Sequence, residues 1–280
     1  MLRLVIAGAG LIGGSFALAL RKAGIPLHIC AIDLGRNLDL ALQRGAVDQV
    51  LPLAEACRDA DYVYLALPIR RILDLLPALA VACPPSCLVT DAGSTKLEIV
   101  SCASALFPPG RFLGGHPMAG KETRGVAAAE ADLFQGRPYL LTPEHPEDLD
   151  TPAAQTLLSW IRAIRAIPTV LSPAQHDATV ALTSHLPQLL ATALASLLDQ
   201  HPERARLLAA AGPGLLDSTR LALSPFSVWA DILATNRQAI SEALEAHAAQ
   251  IESIRAALDD PATLERFFAR AGSFAAALRE

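Results

Sequence analysis

No stretch of about 18 uninterrupted apolar residues occurs in this chain, although 52% of its 280 residues are hydrophobic. No membrane-spanning segment is expected. There is no long basic run, and the net charge is −5, which argues against a nucleic-acid partner. The apolar N-terminus is interrupted at once by Gly8, Gly10 and Gly13, so it does not read as a secretory signal. The five cysteines, Cys30, Cys57, Cys83, Cys87 and Cys102, are odd in number. Cys83 and Cys87 have no second ligand pair, which excludes the usual zinc spacing, and no metal is expected. Reduced thiols in a cytoplasmic protein are the expectation. Internal repeats and low-complexity tracts are also absent.

What is present begins with Leu4-Val5-Ile6-Ala7-Gly8-Ala9-Gly10-Leu11-Ile12-Gly13. An apolar strand runs into G-x-G-x-x-G and then into a helical pattern. Gly8 permits a tight turn, Gly10 lets backbone approach a pyrophosphate, and Gly13 lets helix pack on strand. The anion would sit on the helix N-terminus at Leu11 and Ile12. A second apolar strand ends at Asp33, 20 residues beyond Gly13. Its carboxylate suits two ribose hydroxyls and repels a 2′-phosphate. Arg36 softens that preference by offering a phosphate partner. The expected cofactor is NAD, with NADP as the weaker alternative.

Strand-like runs alternate with helical ones up to Leu171. The strands are expected at 3–7, 28–32, 62–66, 88–91, 111–114, 139–142 and 169–171, with helices at 11–23, 37–44, 69–79, 96–104 and 151–166. This alternation predicts an α/β fold with a doubly wound, mainly parallel, Rossmann-type sheet. Ligands in such sheets bind beyond the carboxyl ends of the strands, which draws attention to Pro68, to Gly93-Ser94-Thr95 and to His116-Pro117. From Pro173 onward no strand is evident, and long Ala/Leu-rich helices are expected at 173–200, 203–211, 226–254 and 261–278. The division is therefore a dinucleotide-binding domain over 1–172 and an all-helical domain over 173–280. Helices apolar on more than one face, such as 178–198, call for burial against a second copy.

Several residues could carry chemistry. In Asp91-Ala92-Gly93-Ser94-Thr95-Lys96 either Ser94 or Thr95 would cap the next helix, a role compatible with substrate contact. In Gly114-Gly115-His116-Pro117-Met118-Ala119-Gly120 the proline biases His116 toward extended geometry past a strand end. A histidine there is suited to take a proton from a hydroxyl, with an acid limb expected near neutral pH. Thr183-Ser184-His185-Leu186-Pro187 lies in a helical run that Pro187 should kink. The polar groups at that kink need a ligand, a water or a neighbouring helix. Arg220 presents a fork that fits a carboxylate or a surface ion pair. Trp229 reads as a packing residue that also walls a pocket.

Taken together these motifs resemble the prephenate/arogenate dehydrogenase family of tyrosine biosynthesis. The resemblance is carried by Gly8-x-Gly10-x-x-Gly13, Asp91-x-x-Ser94-x-Lys96, Gly114 to Gly120, His176-Asp177, Ser184 to Pro187, Asp217-x-Thr219-Arg220 and Trp229-x-Asp231. It implies an oxidoreductase that oxidatively decarboxylates a cyclohexadienol. His116 would hold and deprotonate the 4-hydroxyl with Ser94 as companion, and Arg220 would bind a substrate carboxylate. His185 and Ser184 would line the side-chain end of the pocket. Gln188 stands where many prephenate-specific members have histidine, and its neutral amide accepts either a keto or an ammonium side chain. Prephenate is the expected substrate, with arogenate or dual specificity as the alternative. Any tyrosine inhibition would act at the active site. A β-hydroxyacid dehydrogenase or imine reductase is the more distant alternative. The hydroxyacid enzymes use a lysine on the first helix of the second domain, and no lysine occurs between Pro173 and Gln200.

Overall fold

The computed structural model describes residues 1–32, 38–121 and 123–279. Its centre is an eight-stranded sheet: β1 (Leu2–Ala7), β2 (Leu27–Ile32), β3 (Gln49–Val50), β4 (Tyr62–Leu65), β5 (Leu88–Asp91), β6 (Phe112–Pro117), β7 (Pro138–Thr142) and β8 (Ile167–Val170). The spatial order is β3-β2-β1-β4-β5-β6-β7-β8. All pairings are parallel except β6 with β7. The order reverses between β1 and β4, which places a crevice at their carboxyl ends.

Alternation along the strands builds two cores. Leu4 and Ile6 of β1 face one side with Phe16 and Leu20 of α1 (Leu11–Lys22), while Val5 and Ala7 face the other with Ile72 and Leu76 of α4 (Ile69–Ala82). In the sheet domain one strand and one α-helix escape the sequence pattern: the two-residue β3 and α3 (Leu53–Cys57). Both are too brief to show a period. The expected helix at 37–44 corresponds to α2 (Leu38–Gln43), and those at 96–104 and 151–166 to α5 (Leu97–Leu106) and α6 (Pro152–Ala163).

Beyond β8 the described chain is helical: α7 (Pro173–Val180), a π-helical turn (Ala181–His185), α8 (Leu186–Asp199), α9 (Arg204–Ala209), α10 (Pro213–Thr219), a 3₁₀ turn (Arg220–Leu223), α11 (Phe226–Thr235), α12 (Arg237–Ala256) and α13 (Pro261–Ala277). The expected kink at Pro187 takes a specific form. Proline has no N–H to offer Thr183, and the ladder widens so that the Leu186 N–H bonds the carbonyl of Ala181, five residues back. The helix expected at 226–254 is instead broken at Asn236, whose side chain is spent on tertiary partners described below.

By length and composition alone, the run Pro173–Asp199 (27 residues, mean hydropathy 1.3) is apolar enough to cross a bilayer. Its buried polar residues His176, Asp177, His185 and Gln188 mark it instead as the helix that faces the sheet domain. The helical region has little core of its own, centred on Ala181, Ile240 and Ala243. Its last helix, α13, buries nothing and leaves Phe268 77% and Phe274 68% exposed.

Candidate active site

The glycine turn after β1 has the geometry a dinucleotide needs. Gly8 has φ +95°, and a Cβ there would lie 2.3 Å from the carbonyl oxygen of Ala66 at the end of β4. A Cβ on Gly13 would meet the Gly8 oxygen at 2.2 Å, whereas one on Gly10 would point into open space. Gly8 and Gly13 thus fix the fold of the turn, while Gly10 leaves its approach clear. Gly10 precedes α1, the helix start carries no side-chain cap, and its first turn has no acidic residue. Leu11 and Ile12 form that first turn, half-buried, so free N–H groups and a positive dipole end face the crevice. Pro68, exposed, precedes α4. Asp33 and Arg36 lie outside the described residues.

Three strand steps along the sheet edge, roughly 14 Å at the usual spacing, lead from β1 to β6. Here a buried ion pair replaces the ladder. Pairing of β5 with β6 ends at Thr90 and Leu113. Past that point the Gly115 N–H donates to Asp91 Oδ1 (3.1 Å), and the Gly115 carbonyl accepts from Lys96 Nζ (2.8 Å). Lys96 also donates to Asp91 Oδ2, which accepts the Gly93 N–H as well (2.7 Å). Both charged side chains are wholly buried. Burial lowers the proton affinity of Lys96 while Asp91 opposes that shift. Gly115 has no room for a side chain: a Cβ would sit 2.7 Å from the Asp91 carbonyl.

His116 follows directly. It was expected beyond the strand, yet His116 and Pro117 are the last residues of β6. Antiparallel β7 pairs them with Leu140 and Tyr139 and so extends β6 past the end of β5. The His116 ring is met from the helical domain. Its Nδ1 lies 2.9 Å from His176 Nε2, and His176 Nδ1 lies 2.7 Å from Asp177 Oδ1. Asp177 also accepts the backbone N–H groups of Lys96 (2.7 Å) and Leu97 (3.0 Å). The expected Ser94 or Thr95 cap of α5 is therefore replaced by a carboxylate from α7. Thr95 pairs instead with the Thr235 hydroxyl at 2.7 Å. Ser94 is half-buried just past β5, and among the described residues it makes no hydrogen bond to His116; the ring's companion is His176.

Burial, then the neighbouring His176, Lys96 and His185, hold His116 well below the ordinary histidine value. Burial also lowers His176, opposed by its bond to Asp177, and pushes His185 down to about 4. Burial thus favours the neutral imidazole of His116 over the imidazolium, and a limb set by this group is expected below neutrality rather than near it.

His185, 1% exposed, ends the π turn. Its Nδ1 accepts from Asn236 Nδ2 (3.3 Å), which also donates to the Asp177 carbonyl (2.8 Å). Trp229 stands edge-on to the His185 ring, with centroids 5.9 Å apart, and is held by a bond from Nε1 to Ser224 Oγ (2.9 Å). Ser184 is half-buried in the same turn, and Gln188 is buried with its amide donating to Thr192 Oγ1 (3.2 Å). Arg220 opens the 3₁₀ turn that packs on α8 and is exposed. The structure therefore gathers His116, His185 and Trp229 about one interdomain cluster. Sequence reasoning assigned no role to His176, Asp177, Lys96 or Asn236. The first two stood in a recognisable His-Asp pair, but nothing local shows that it meets residues 60 and 80 positions away.

A glycine-turn crevice, a neutral buried histidine at the sheet edge and a helical domain closing over it define a two-domain, dinucleotide-dependent dehydrogenase. Two family models match, "Prephenate dehydrogenase, nucleotide-binding domain" over residues 16–166 and "Prephenate dehydrogenase, dimerization domain" over 172–270. The chain is similar to the prephenate dehydrogenases of Lactococcus lactis (34% identity, covering 96% of this chain and 75% of that one) and Bacillus subtilis (35%, covering 97% and 74%). The crystal structure of prephenate dehydrogenase from A. aeolicus with hydroxyphenyl propionate and NAD+ superposes with a TM-score of 0.89 at 27% identity, covering 100% of this chain and 99% of that one. The chain belongs to the prephenate dehydrogenase family.

Proposed function

We propose that this protein catalyses the oxidative decarboxylation of prephenate to 4-hydroxyphenylpyruvate with NAD, a step of tyrosine biosynthesis. The observation that carries the reading is His116, buried at the sheet edge and in hydrogen-bond contact with His176 of the helical domain. The cofactor's residues are Gly8, Gly10, Leu11, Ile12 and Gly13, with Pro68 at the neighbouring strand end and Asp33 and Arg36 at the ribose. The open side of Gly10 and the uncapped, acid-free start of α1 fit a pyrophosphate. When bound, the nicotinamide supplies the acceptor for the hydride of C4.

The protein's own part is alignment and one proton. Departure of the C4 hydride puts positive character on the carbinol carbon, and His116 relieves it by taking the hydroxyl proton. The C1–carboxylate bond pair then completes the aromatic ring as CO2 leaves, and the proton returns from His116 to the phenolic oxygen. No net proton is released. Ser94 lies beside this path. Arg220 holds a substrate carboxylate, and Ser184, His185, Gln188 and Trp229 form the side-chain end of the pocket.

We place the domain division at 172/173, between β8 and α7. The apolar surface of α13 and its neighbours supports a homodimer through the helical domain. Arogenate is the alternative substrate, because Gln188 is neutral. NADH and NADPH formation with prephenate and with arogenate, each with NAD and NADP, tests substrate and cofactor together.

A further inference from the structure

The direction of the hydrogen bonds around His116 follows from the group at the far end of the chain. Asp177, as a carboxylate, has no proton to give. Among the described residues, the groups bonded to its carboxylate are the backbone N–H groups of Lys96 and Leu97, which can only donate, and the Nδ1 of His176. His176 therefore carries its proton on Nδ1, and its Nε2 is left as an acceptor. Among the described residues the partner of that nitrogen is His116 Nδ1, at 2.9 Å, which must then be the N–H. His116 Nε2, on the opposite edge of the ring, keeps the lone pair.

We infer that His176 and Asp177 are positioning residues that lock His116 in its Nδ1–H tautomer and so present Nε2 as the base. This rests on the proposed role of His116 and adds to it a device shared between domains. His116 belongs to β6 of the sheet domain, whereas His176 and Asp177 belong to the first helix of the helical domain. Asp177 is held in place by capping α5 of the sheet domain and by the preceding fold of α7, with Asn236 bonded to its carbonyl. Docking of the two domains and orientation of the base are thus the same set of hydrogen bonds. An unlocked imidazole would divide itself between two tautomers, and in one of them the nitrogen facing substrate would carry a proton and be unable to accept another.

The test uses the full chain with ¹⁵N-labelled histidine. In the free wild-type protein at neutral pH, the His116 ring should show a protonated Nδ1 and a bare Nε2. His176→Leu removes the acceptor, so His116 should become a mixture of tautomers. Its kcat should fall at least severalfold, in proportion to the fraction of the ring in the wrong tautomer, and toward the roughly 10⁴-fold loss of a base held wholly in the wrong tautomer, with NAD affinity little changed. His176→Gln restores an acceptor oxygen at a similar reach and should recover most of the kcat and the single tautomer. A wild-type His116 protonated on Nε2, or a His176→Leu enzyme with unaltered tautomer and kcat, overturns the inference. The tautomer is read without substrate, so it stands or falls separately from the choice of prephenate as substrate.

Discussion

Asp177 Oδ1 accepts the backbone N–H of Lys96 at 2.7 Å, so a carboxylate of the helical domain caps a helix of the sheet domain across 81 positions of sequence. A second carboxylate repeats the arrangement one helix away: Asp231 of α11 accepts the N–H of Arg70 at 3.1 Å and pairs with its guanidinium at 3.2 Å. The two are not equivalent. Asp177 is buried and serves three donors, whereas Arg70 is largely exposed. Asp177→Ala should cost on the order of 2–4 kcal/mol, because buried N–H groups lose their acceptor. Asp231→Ala should cost under about 1 kcal/mol. Urea unfolding of both variants gives the comparison; equal costs would show that burial does not distinguish the two caps.

The glycine turn separates folding from binding. Gly13→Ala drives a Cβ against the Gly8 oxygen and should destabilise the protein by about 1–3 kcal/mol. Gly10→Ala meets nothing within 4 Å and should leave the melting temperature near that of the wild type. It should nevertheless weaken NAD binding, since the methyl group occupies the approach to the pyrophosphate. Calorimetric titration with NAD alongside thermal unfolding checks the pair. Undiminished NAD affinity in Gly10→Ala would move the cofactor's phosphates away from this turn.

Acid should destabilise the folded protein through its buried histidines. His116, His176 and His185 are all lowered chiefly by burial. In the unfolded chain they take up protons below about pH 6.5, while in the folded protein they do not until lower pH. The unfolded state then binds more protons, and stability falls as pH falls. The full contribution is present above pH 6.5 and drains away toward the folded-state values. His185, at about 4 in the fold, alone accounts for about 3 kcal/mol by pH 4. Unfolding free energies should hold nearly level from pH 7.5 to about 6.5 and decline from there to 4.5; a flat profile would mean that these rings bind protons in the fold as readily as in the unfolded chain.

Phe268 and Phe274 stand exposed on α13, a helix with no buried residue. Sedimentation should give twice the chain mass of 29.5 kDa. Replacing both phenylalanines by serine should shift the population toward monomer, and a wild-type mass of one chain at all concentrations would exclude the dimer.

Much of this was legible in the residues. Strand alternation at Leu4 to Ala7 and the spacing of Gly8, Gly10 and Gly13 report local geometry, and local geometry is what sequence patterns encode. The break at Asn236 was not legible, because its cause is tertiary: the side chain bonds Asp177 and His185, and those bonds outweigh the helical propensity on either side. The cap on α5 was hidden for the same reason, since Ser94 and Thr95 are the better local candidates. His116 was found as a candidate from its Gly and Pro neighbours, but its low proton affinity comes from burial beside His176, Lys96 and His185, none of which adjoins it in sequence.

The central claim is tested most directly by prephenate-dependent NADH formation, measured under saturating conditions for the wild type and for His116→Asn. Asparagine keeps a hydrogen-bonding group of similar reach but cannot accept the proton. The wild type should turn over prephenate with NAD, and the variant should lose roughly 10²–10⁴-fold in kcat, the scale of general-base catalysis, with NAD affinity nearly unchanged. Absence of prephenate-dependent NADH in the wild type, or a near-normal kcat in His116→Asn, would contradict the account.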